Sequence, residues 1–539
     1  MTASVSARVM LRPIRVGLLL RHRRRHEKRT RRQRQERQRR ARVLDREGFL
    51  IRRRLADAVT VNTDGPVLGR HGGVYELAER SRAISHGGIG VVAGVVKAVG
   101  LAGEIDSSLH LLASHRPYFE SDHVLNIVYN ALCGGTRLDD IESRRNDAVF
   151  LDALGVDSLP DPTTAGDFCR RFDASSGSDL QDAISRARLR AWASQPASFL
   201  AETARIDADA SIVGTTGETK QGMDISYNGI WGYSALLVSL ANTKEPLFID
   251  LHGANRPSHE GVVPFYDKAI ALCRQAGFDD VMLRGDTDFS LTTQFDRWSD
   301  DGVRFVFGYD AKAKLIERAE DRPEDLYHSL VTRAEAATAT KARTKAPAVK
   351  ETVVAIRGFK NVRTVAEDVT EFSYRPSNCK RDHRVVALRK DLNVSGANVL
   401  FAQFRYFFYI TNDWEMTADE VIAEARHRCD QENLIAQLKD LRALHAPVNT
   451  LDANRAYMIM ASLAWTLKAW CALLLPVSPR WAAAHLIERQ QMLKMEFRTF
   501  LQAFIAVPCQ IVRRGRQIRW RILAWNPWLK ALFRLADSL

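Results

Sequence analysis

The chain has 539 residues, of which 46% are hydrophobic, so it is long enough for several domains with sizeable cores. Its formal net charge is +14, because 78 Lys and Arg outnumber 64 Asp and Glu, which favours a polyanionic partner, nucleic acid before an anionic membrane surface. The seven Cys form no Cys-x-x-Cys pair, which argues against a zinc ribbon or a disulfide framework and fits a reducing cytoplasm.

The first 56 residues form an Arg-rich head. Twelve of the twenty residues 21–40 are Lys or Arg and only two are acidic, so like charges repel and 1–56 is predicted to be a disordered extension. The head can bind phosphates nonspecifically, or it is a dispensable tail, or it lies upstream of the true start codon. Its apolar run Val16–Leu20 is too short for a signal peptide, which again favours a cytoplasmic protein.

Short helices are predicted across residues 57–200. Helical periodicity marks Val74–Val99 and Ser121–Cys133, and Asp161 followed by Pro162 is typical of a helix start. Interspersed Arg side chains suit a helix-turn-helix-like unit, although a plain helical subdomain explains the same pattern equally well. We therefore expect 57–200 to be a helical N-terminal DNA-binding region, with the purely structural alternative open.

Strands alternate with helices over residues 201–309. The first strand, 206–213, alternates apolar and polar residues, so that Asp207 and Asp209 share its polar face. Asp286 directly follows a later apolar strand in Arg-Gly-Asp. The remaining predicted elements are strands 234–240, 247–251, 281–283 and 304–307 and helices 261–276 and 291–300. Three strands, a helix, a strand, a helix and a strand predict an α/β sheet with acids at strand ends.

A β-rich insertion is predicted over residues 310–412. It opens with the charged stretch Glu317–Lys350, which is interpreted as a helix followed by a mobile loop. β-like runs follow at 371–374, 383–388 and 399–412. The insertion separates the α/β segment from the helices predicted over 413–475.

The C-terminal part combines a buried helix with a basic region. Tyr457–Leu475 is nearly apolar but carries Lys468, so it is predicted to be a core helix rather than a membrane span. Residues 476–539 form a basic region in which two β-like runs flank an Arg-rich turn. We expect this turn to bind DNA through Arg513, Arg514 and Arg516.

The stretch Arg426–Lys439 has no Gly or Pro and is predicted to be one helix. Arg428, Glu432 and Lys439 are four and seven residues apart, so at about 100° per residue they fall on one stripe. One carboxylate is thus flanked by two cations, an arrangement suited to metal binding beside DNA phosphates. The alternative is an ordinary surface ion pair between Arg428 and Glu432, contributing a few tenths of a kcal/mol.

Three acids on separate elements, Asp209, Asp286 and Glu432, are the candidate catalytic and metal-binding residues. If they meet in the fold, they repel unless a cation bridges them, and acids without His or Cys partners suit Mg²⁺ or Mn²⁺. Two such ions support in-line phosphoryl transfer, and Arg428 and Lys439 are placed to bind DNA phosphates.

Two alternatives for these acids stay open. Asp207 shares the strand face of Asp209 and is an alternative first ligand. Asp286, like Asp288, can instead cap the helix that follows it.

The chain resembles the DDE (Asp-Asp-Glu) transposases of bacterial insertion sequences, most closely the IS1380 family, which is related to the IS4 group. The group signature is Tyr, two residues, Arg, three residues, Glu, six residues, Lys, and Arg428, Glu432 and Lys439 match its spacing. The Tyr position is occupied by Ala425, a departure from the pattern. Further matching pieces, spread from about residue 58 to the C-terminus, are Asp209-Ala-Ser211, Arg284-Gly-Asp286 with Phe289, and Ile410-Thr-Asn412.

The resemblance implies an RNase H-like catalytic core, interrupted by the β-rich insertion and flanked by helical N-terminal and C-terminal regions. It implies an insertion-sequence transposase, nucleoid-associated, that binds terminal inverted repeats and target DNA as a homodimer and performs strand cleavage and strand transfer with Mg²⁺ or Mn²⁺. The alternatives are a catalytically inactive DNA-binding derivative, for which the missing Tyr is the argument, and a metal-dependent nuclease without strand transfer.

Overall fold

The computed structural model of the chain describes residues 31, 34–35, 37–53, 82–115, 117–330, 362–394, 403–514 and 517–539. Helices and strands are combined in a mixed α/β fold, which confirms the predicted class at that level. The chain forms two compact units, one comprising Val92–Leu501 and the other comprising Met1–Val91 with Gln502–Leu539.

The strands are numbered in chain order. They are β1 Ala83–Ile84, β2 Ala204–Gly214, β3 Asp224–Ile225, β4 Trp231–Leu240, β5 Glu245–Gly253, β6 Val281–Gly285, β7 Arg304–Tyr309, β8 His328–Ser329, β9 Val362–Tyr374, β10 His383–Val394, β11 Gln403–Thr411, β12 Cys509–Arg514 and β13 Gln517–Ile522.

The α-helices of the described residues are numbered in the same way. They are α1 37–53, α2 Ile89–Ala98, α3 Leu101–Ser108, α4 Glu120–Leu132, α5 Ile141–Arg145, α6 Ala148–Leu154, α7 Pro162–Cys169, α8 Ala174–Ala193, α9 Ala197–Leu200, α10 Val262–Ala276, α11 Thr292–Asp300, α12 Ala313–Glu320, α13 Ala418–His427, α14 Cys429–Asp440, α15 Leu451–Leu473, α16 Ala482–Lys494, α17 Phe497–Phe500 and α18 Leu529–Ala536.

One mixed sheet organises the larger unit. Its strand order is β3-β4-β2-β6-β7-β11-β10-β9-β8, and β5 also pairs with β4. The β2–β6 and β6–β7 pairs are parallel, whereas the other pairs are antiparallel. Helix α10 precedes β6 and α11 precedes β7, as βαβ connections between parallel strands require. Consistent with helices covering both faces, every residue of β6 is buried.

The predicted β-rich insertion continues this sheet. β11 pairs with β7, placing Ile410 opposite Phe307, and β10, β9 and β8 follow outward as antiparallel neighbours. The helix expected at the start of Glu317–Lys350 is α12, which ends at Glu320. Residues 331–361 and 395–402, including the loop predicted there, lie outside the described residues.

Helix α15 lies in the core of the larger unit. Thr450 caps it by accepting a hydrogen bond from the Ala453 amide at 3.2 Å. The helix is long and apolar enough to cross a membrane by composition, but its apolar window is 100% buried inside the protein. It packs against α4, α8 and β5, as expected for a core helix.

The smaller unit contains helix α1, helix α18 and the three-stranded sheet β1-β12-β13. Residues 37–53, which we expected to be disordered with the rest of 1–56, are helical. The difference is explained by partners distant in sequence, because Arg37 and Arg40 pair with Asp537 and Lys530 pairs with Asp45 at 2.6 Å. Residues 1–30 lie outside the described part of the chain.

One prediction for a helix is modified by the structure, and another is confirmed. The stretch Arg426–Lys439 is not one helix, because α13 ends at His427 and α14 begins at Cys429, with a turn at Arg428. In the region 57–200 the predicted start at Asp161 is present, since its carboxylate accepts a hydrogen bond from Thr164 N at 2.8 Å. DNA binding by that region stays a prediction.

Candidate active site

Two of the candidate acids are placed by neighbouring parallel strands. β2 and β6 run parallel with Asp207 opposite Arg284. Asp209 and Asp286 each follow two residues later, so parallel pairing brings both acids to the same edge of the two strands. The Asp286 carboxylate also accepts a hydrogen bond from Asp288 N at 3.0 Å, so it caps a short turn as well.

The third acid, Glu432, lies in the first turn of α14, and Arg428 connects it to β2. Arg428 Nη1 is 3.2 Å from Asp209 Oδ2, and Arg428 Nη2 is 3.2 Å from Glu432 Oε1. The predicted spacing of four residues therefore does form an ion pair despite the turn at Arg428. The side chain of Glu432 is 59% exposed, whereas that of Asp209 is 15% exposed.

Asp207 has different surroundings from Asp209. Arg284 donates to it twice, from Nε at 2.6 Å and from Nη2 at 2.8 Å, and both side chains are 1% exposed. Arg284 also contacts Glu424 at 2.7 Å, and Glu424 in turn pairs with Arg205. The carboxylate of Asp207 is thus engaged by a buried guanidinium, which favours Asp209 as the accessible acid of this strand.

Burial, with a smaller contribution from neighbouring acids, raises the pKa of two of the three acids. Burial raises the pKa of Asp209 to about 6, and Arg428 opposes the shift. The neighbouring charges of Asp286 and Glu432 contribute to this raised pKa of Asp209. Burial also raises the pKa of Asp286 above its ordinary value. Acids that resist ionisation in this way are characteristic of sites that bind a cation or transfer protons.

Arg428 lies among all three acids. Burial alone would lower its pKa, but Asp209 and Asp286 raise it above the ordinary value, and Glu432 adds to the effect. The guanidinium of Arg428 therefore supplies positive charge next to the three carboxylates. Because the donors are carboxylates and partly exposed, the set fits a hard divalent ion such as Mg²⁺ or Mn²⁺.

The residues predicted to bind DNA are placed less completely. Lys439 is exposed near the end of α14, two turns beyond Glu432. The backbones of Arg513 and Arg514 end strand β12, and Arg516 lies outside the described residues. β12 and β13 pair with each other, in agreement with the predicted hairpin. The assignments of Asp209, Asp286, Glu432 and the DNA-binding residues stay predictions.

Sequence reasoning did not identify Glu424 as part of the site. Its carboxylate lies between Arg205 and Arg284, and Arg284 holds Asp207 on the strand that carries Asp209. Glu424 lies within helix α13, and its position in the sequence carries no signal of these two partners. The partners on β2 and β6 were not visible, because they depend on the pairing of those strands.

Two comparisons with known proteins found matches. A family model described as "Transposase DDE domain group 1" matches residues 78–539, which leaves only the Arg-rich head and the residues just after it outside. No curated protein matches the chain. Among solved structures, the cryo-EM structure of the piggyBac transposase synaptic complex with hairpin DNA is similar, with 9% sequence identity and a TM-score of 0.32. That similarity covers 82% of this chain and 88% of that chain.

Proposed function

The chain belongs to the family of transposases with a DDE domain, and from that premise we propose that it is an insertion-sequence transposase of the IS1380 type. In this proposal Asp209, Asp286 and Glu432 are the catalytic acids and hold two Mg²⁺ or Mn²⁺ ions. The activity is strand cleavage at terminal inverted repeats followed by strand transfer into target DNA.

One observation carries the assignment of the acids. They come from a strand, a strand end and a helix that are far apart in sequence, yet their charges meet at Arg428. A surface ion pair between Arg428 and Glu432 alone does not explain why Asp209 and Asp286 also act on this guanidinium. Convergence of three acids on one cation is what a divalent-ion site requires.

The residues of the chain have distinct parts in the proposed reaction. Asp209, Asp286 and Glu432 would hold two divalent ions, which would activate a water or 3′-hydroxyl and stabilise the leaving oxygen. Asp209 and Asp286, fixed by paired strands, hold their carboxylates in place, whereas exposed Glu432 approaches from α14. Once Arg428 is released from the acids, its fork suits a DNA phosphate, and Lys439 adds a point charge further along the helix.

The sheet supports an RNase H-like core. Three antiparallel strands, β5, β4 and β2, are followed by β6 and β7 parallel to β2, and the proposed acids lie on β2 and just after β6. We propose that this core comprises 201–309 and 413–475, with 310–412 inserted between them. In the sequence, 57–200 precedes the core and the basic region 476–539 follows it. The proposed DNA partners are duplex ends and target DNA, bound by a homodimer.

A strand-transfer assay tests the proposal. Protein, labelled terminal-repeat DNA, a target plasmid and Mg²⁺ should give joined products, which Asp209→Asn, Asp286→Asn and Glu432→Gln should each abolish. Asp288→Asn is the matched control, because this exposed acid lies two residues after Asp286 and should be dispensable for joining. Joining that survives Asp286→Asn or Glu432→Gln would overturn the site assignment.

The same assay separates the alternatives. A metal-dependent nuclease would cleave the labelled end without joining it, and a catalytically inactive derivative would only retard it in a gel. Ala425, which replaces the Tyr of the group signature, is the observation in favour of the inactive derivative. It packs against a buried cluster that also contacts Tyr409, so the cluster retains a tyrosine from β11.

A further inference from the structure

A second group of metal-ligating side chains lies outside the acids described above. Asp296 is on α11, Cys379 is in the turn between β9 and β10, and His383 is the first residue of β10. One ligand atom from each side chain lies within 4.8 Å of the others. Carboxylate, thiolate and imidazole together are a donor set typical of zinc.

His383 has no hydrogen-bond partner within the described residues. It is 1% exposed, and neither of its ring nitrogens is bonded, although buried polar groups are normally paired. Asp296 Oδ1 is likewise buried without a hydrogen bond there. Two buried ligand atoms without hydrogen-bond partners, only 3.9 Å apart, are donors that one cation could bond at the same time.

The separation of these two atoms fits a shared ion. His383 Nε2 is 3.9 Å from Asp296 Oδ1, which is too long for a hydrogen bond. Tetrahedral zinc with bonds of about 2.0–2.3 Å sets neighbouring ligand atoms roughly 3.3–3.8 Å apart. The observed separation therefore needs little adjustment to accept zinc.

The surroundings hold the three side chains in place. Lys380 N donates to Asp296 Oδ2 at 2.7 Å, which leaves Oδ1 available, and Cys379 Sγ donates to Thr292 O at 3.3 Å. The rings of Phe295 and Phe305 lie 5.4 and 5.7 Å from His383. The Asp296 side chain is 22% exposed, which provides a path for an ion to enter.

We propose that Asp296, Cys379 and His383 bind one zinc ion, with water as the fourth ligand. On binding, the Cys379 thiol releases its proton to solvent and the thiolate bonds to zinc, while His383 binds as neutral imidazole. The site shares no residue with the acids and does not depend on the proposed function.

Such a site would join two parts of the larger unit. α11 lies between β6 and β7, whereas Cys379 and His383 belong to the hairpin formed by β9 and β10 of the insertion. A zinc ion would therefore fix the turn of the inserted hairpin to the helix that follows Asp286.

Metal titration of the full chain tests the inference. Protein freed of metals with a chelator is placed in excess Mg²⁺, which competes for any site made of carboxylates alone. Zn²⁺ is then added against a chromophoric competitor. We expect one tightly bound zinc per chain and a higher melting temperature. In a parallel sample, Co²⁺ should give a sulfur-to-cobalt charge-transfer band, which carboxylate ligands cannot produce.

Single substitutions show which side chains produce the cobalt–sulfur band and the zinc affinity. Cys379→Ser should abolish the cobalt–sulfur band and Asp296→Asn should weaken zinc binding at least tenfold. Cys429→Ser is the control, because Cys429 is the exposed thiol beside Arg428, and it should leave the band unchanged. Absence of zinc binding in the presence of Mg²⁺ would overturn the proposal. So would a cobalt–sulfur band that survives Cys379→Ser, provided that the variant has the same melting temperature as the metal-free parent and is therefore folded.

Discussion

Asp207 and Asp209 lie two residues apart on one strand, but their side chains differ in burial and in the arginine that each contacts. Asp207 is held by two hydrogen bonds from Arg284, which oppose the effect of burial, although burial still raises its pKa above the ordinary value. Asp209 shares Arg428 with two other acids and resists ionisation. The alternation of the strand predicted that both acids share a face. Which of them is accessible depends on partners from β6 and α14 that the local sequence does not reveal.

The first prediction is that Asp209→Asn stabilises the metal-free protein. Between its ordinary pKa near 3.8 and about 6, the folded state holds a proton that the unfolded state has lost, so the free energy of unfolding falls as pH rises. The raised pKa already includes the attraction of Arg428. At about pH 7 the substitution should therefore add on the order of 1–3 kcal/mol, and the gain should shrink towards pH 5.

Urea unfolding in chelator measures this gain, and Asp207→Asn is the matched comparison. That substitution leaves buried Arg284 with one carboxylate fewer and should lower the free energy of unfolding by about 3 kcal/mol. Mg²⁺ should stabilise the parent but not Asp209→Asn. If both substitutions shift stability in the same direction, the distinction between the two aspartates is wrong.

At the level of single elements, two core elements were predictable from periodicity with their ends to within two residues, whereas the break in a later helix was not. β2, predicted over 206–213, spans Ala204–Gly214, and the helix predicted over 261–276 is Val262–Ala276. The predicted helix Arg426–Lys439 is interrupted at Arg428, a position without Gly or Pro to announce a break. Arg428 forms ion pairs with Asp209 on β2 and with Glu432. The contact with β2 is a tertiary contact, which helix propensity in the local sequence does not predict.

The second prediction concerns Gly285, the last residue of β6. A Cβ atom at this position would lie 2.6 Å from Phe289 Cβ and 3.2 Å from the Phe307 ring, so β6 can pass these side chains only as glycine. Gly285→Ala should lower stability by about 1–3 kcal/mol and displace the adjacent Asp286. Strand joining should fall about tenfold to a hundredfold, with DNA affinity nearly unchanged.

The control for this substitution is Gly103→Ala in helix α3, where no atom lies within 4 Å of the added Cβ. Alanine favours the helix there, so stability should rise by up to about 1 kcal/mol and joining should be unaffected. Joining by Gly285→Ala at the parental rate would show that the close packing of β6 does not position Asp286.

The third prediction concerns Lys468 in the buried helix α15. Its ammonium donates to Leu493 O at 2.9 Å and lies 3.8 Å from the centre of the Trp465 ring, and burial lowers its pKa to about 7. Between about 7 and 10.5 the unfolded state binds more protons, so stability should rise with pH in that window. Lys468→Met should therefore stabilise the protein by about 2 kcal/mol near pH 7 and by much less near pH 10.

Chemical denaturation at the two pH values measures this difference. Lys494→Met serves as the control, because Lys494 is exposed at the end of α16 and should change stability by less than about 0.5 kcal/mol. A destabilised Lys468→Met at neutral pH would mean that the hydrogen bond and the ring contact outweigh the burial of the charge.

For the whole molecule, the β-rich character of the insertion was predictable, but its place in the sheet was not. Alternating residues predict strands, and they do not specify which edge the strands pair with. In the structure β11 adds to the free edge of β7, so the insertion lengthens the central sheet. The same limit applies to 37–53, whose charges predict repulsion until Asp537 supplies a distant partner.

The fourth prediction follows from the net charge of +14. Each phosphate contact releases counterions, so affinity for a terminal-repeat duplex should fall steeply between about 50 and 200 mM salt, with a logarithmic slope of about −0.9 per contact. Replacing Arg513, Arg514 and Arg516 by Gln should make the slope shallower by about one for each Arg that contacts a phosphate. Fluorescence anisotropy across the salt series measures both quantities.

Arg256→Gln is the matched control, because Arg256 is exposed but already paired with Glu260, and it should leave the slope unchanged. An affinity independent of salt would contradict a phosphate-binding surface, and an equal effect of Arg256→Gln would show that total charge acts rather than the β12–β13 hairpin.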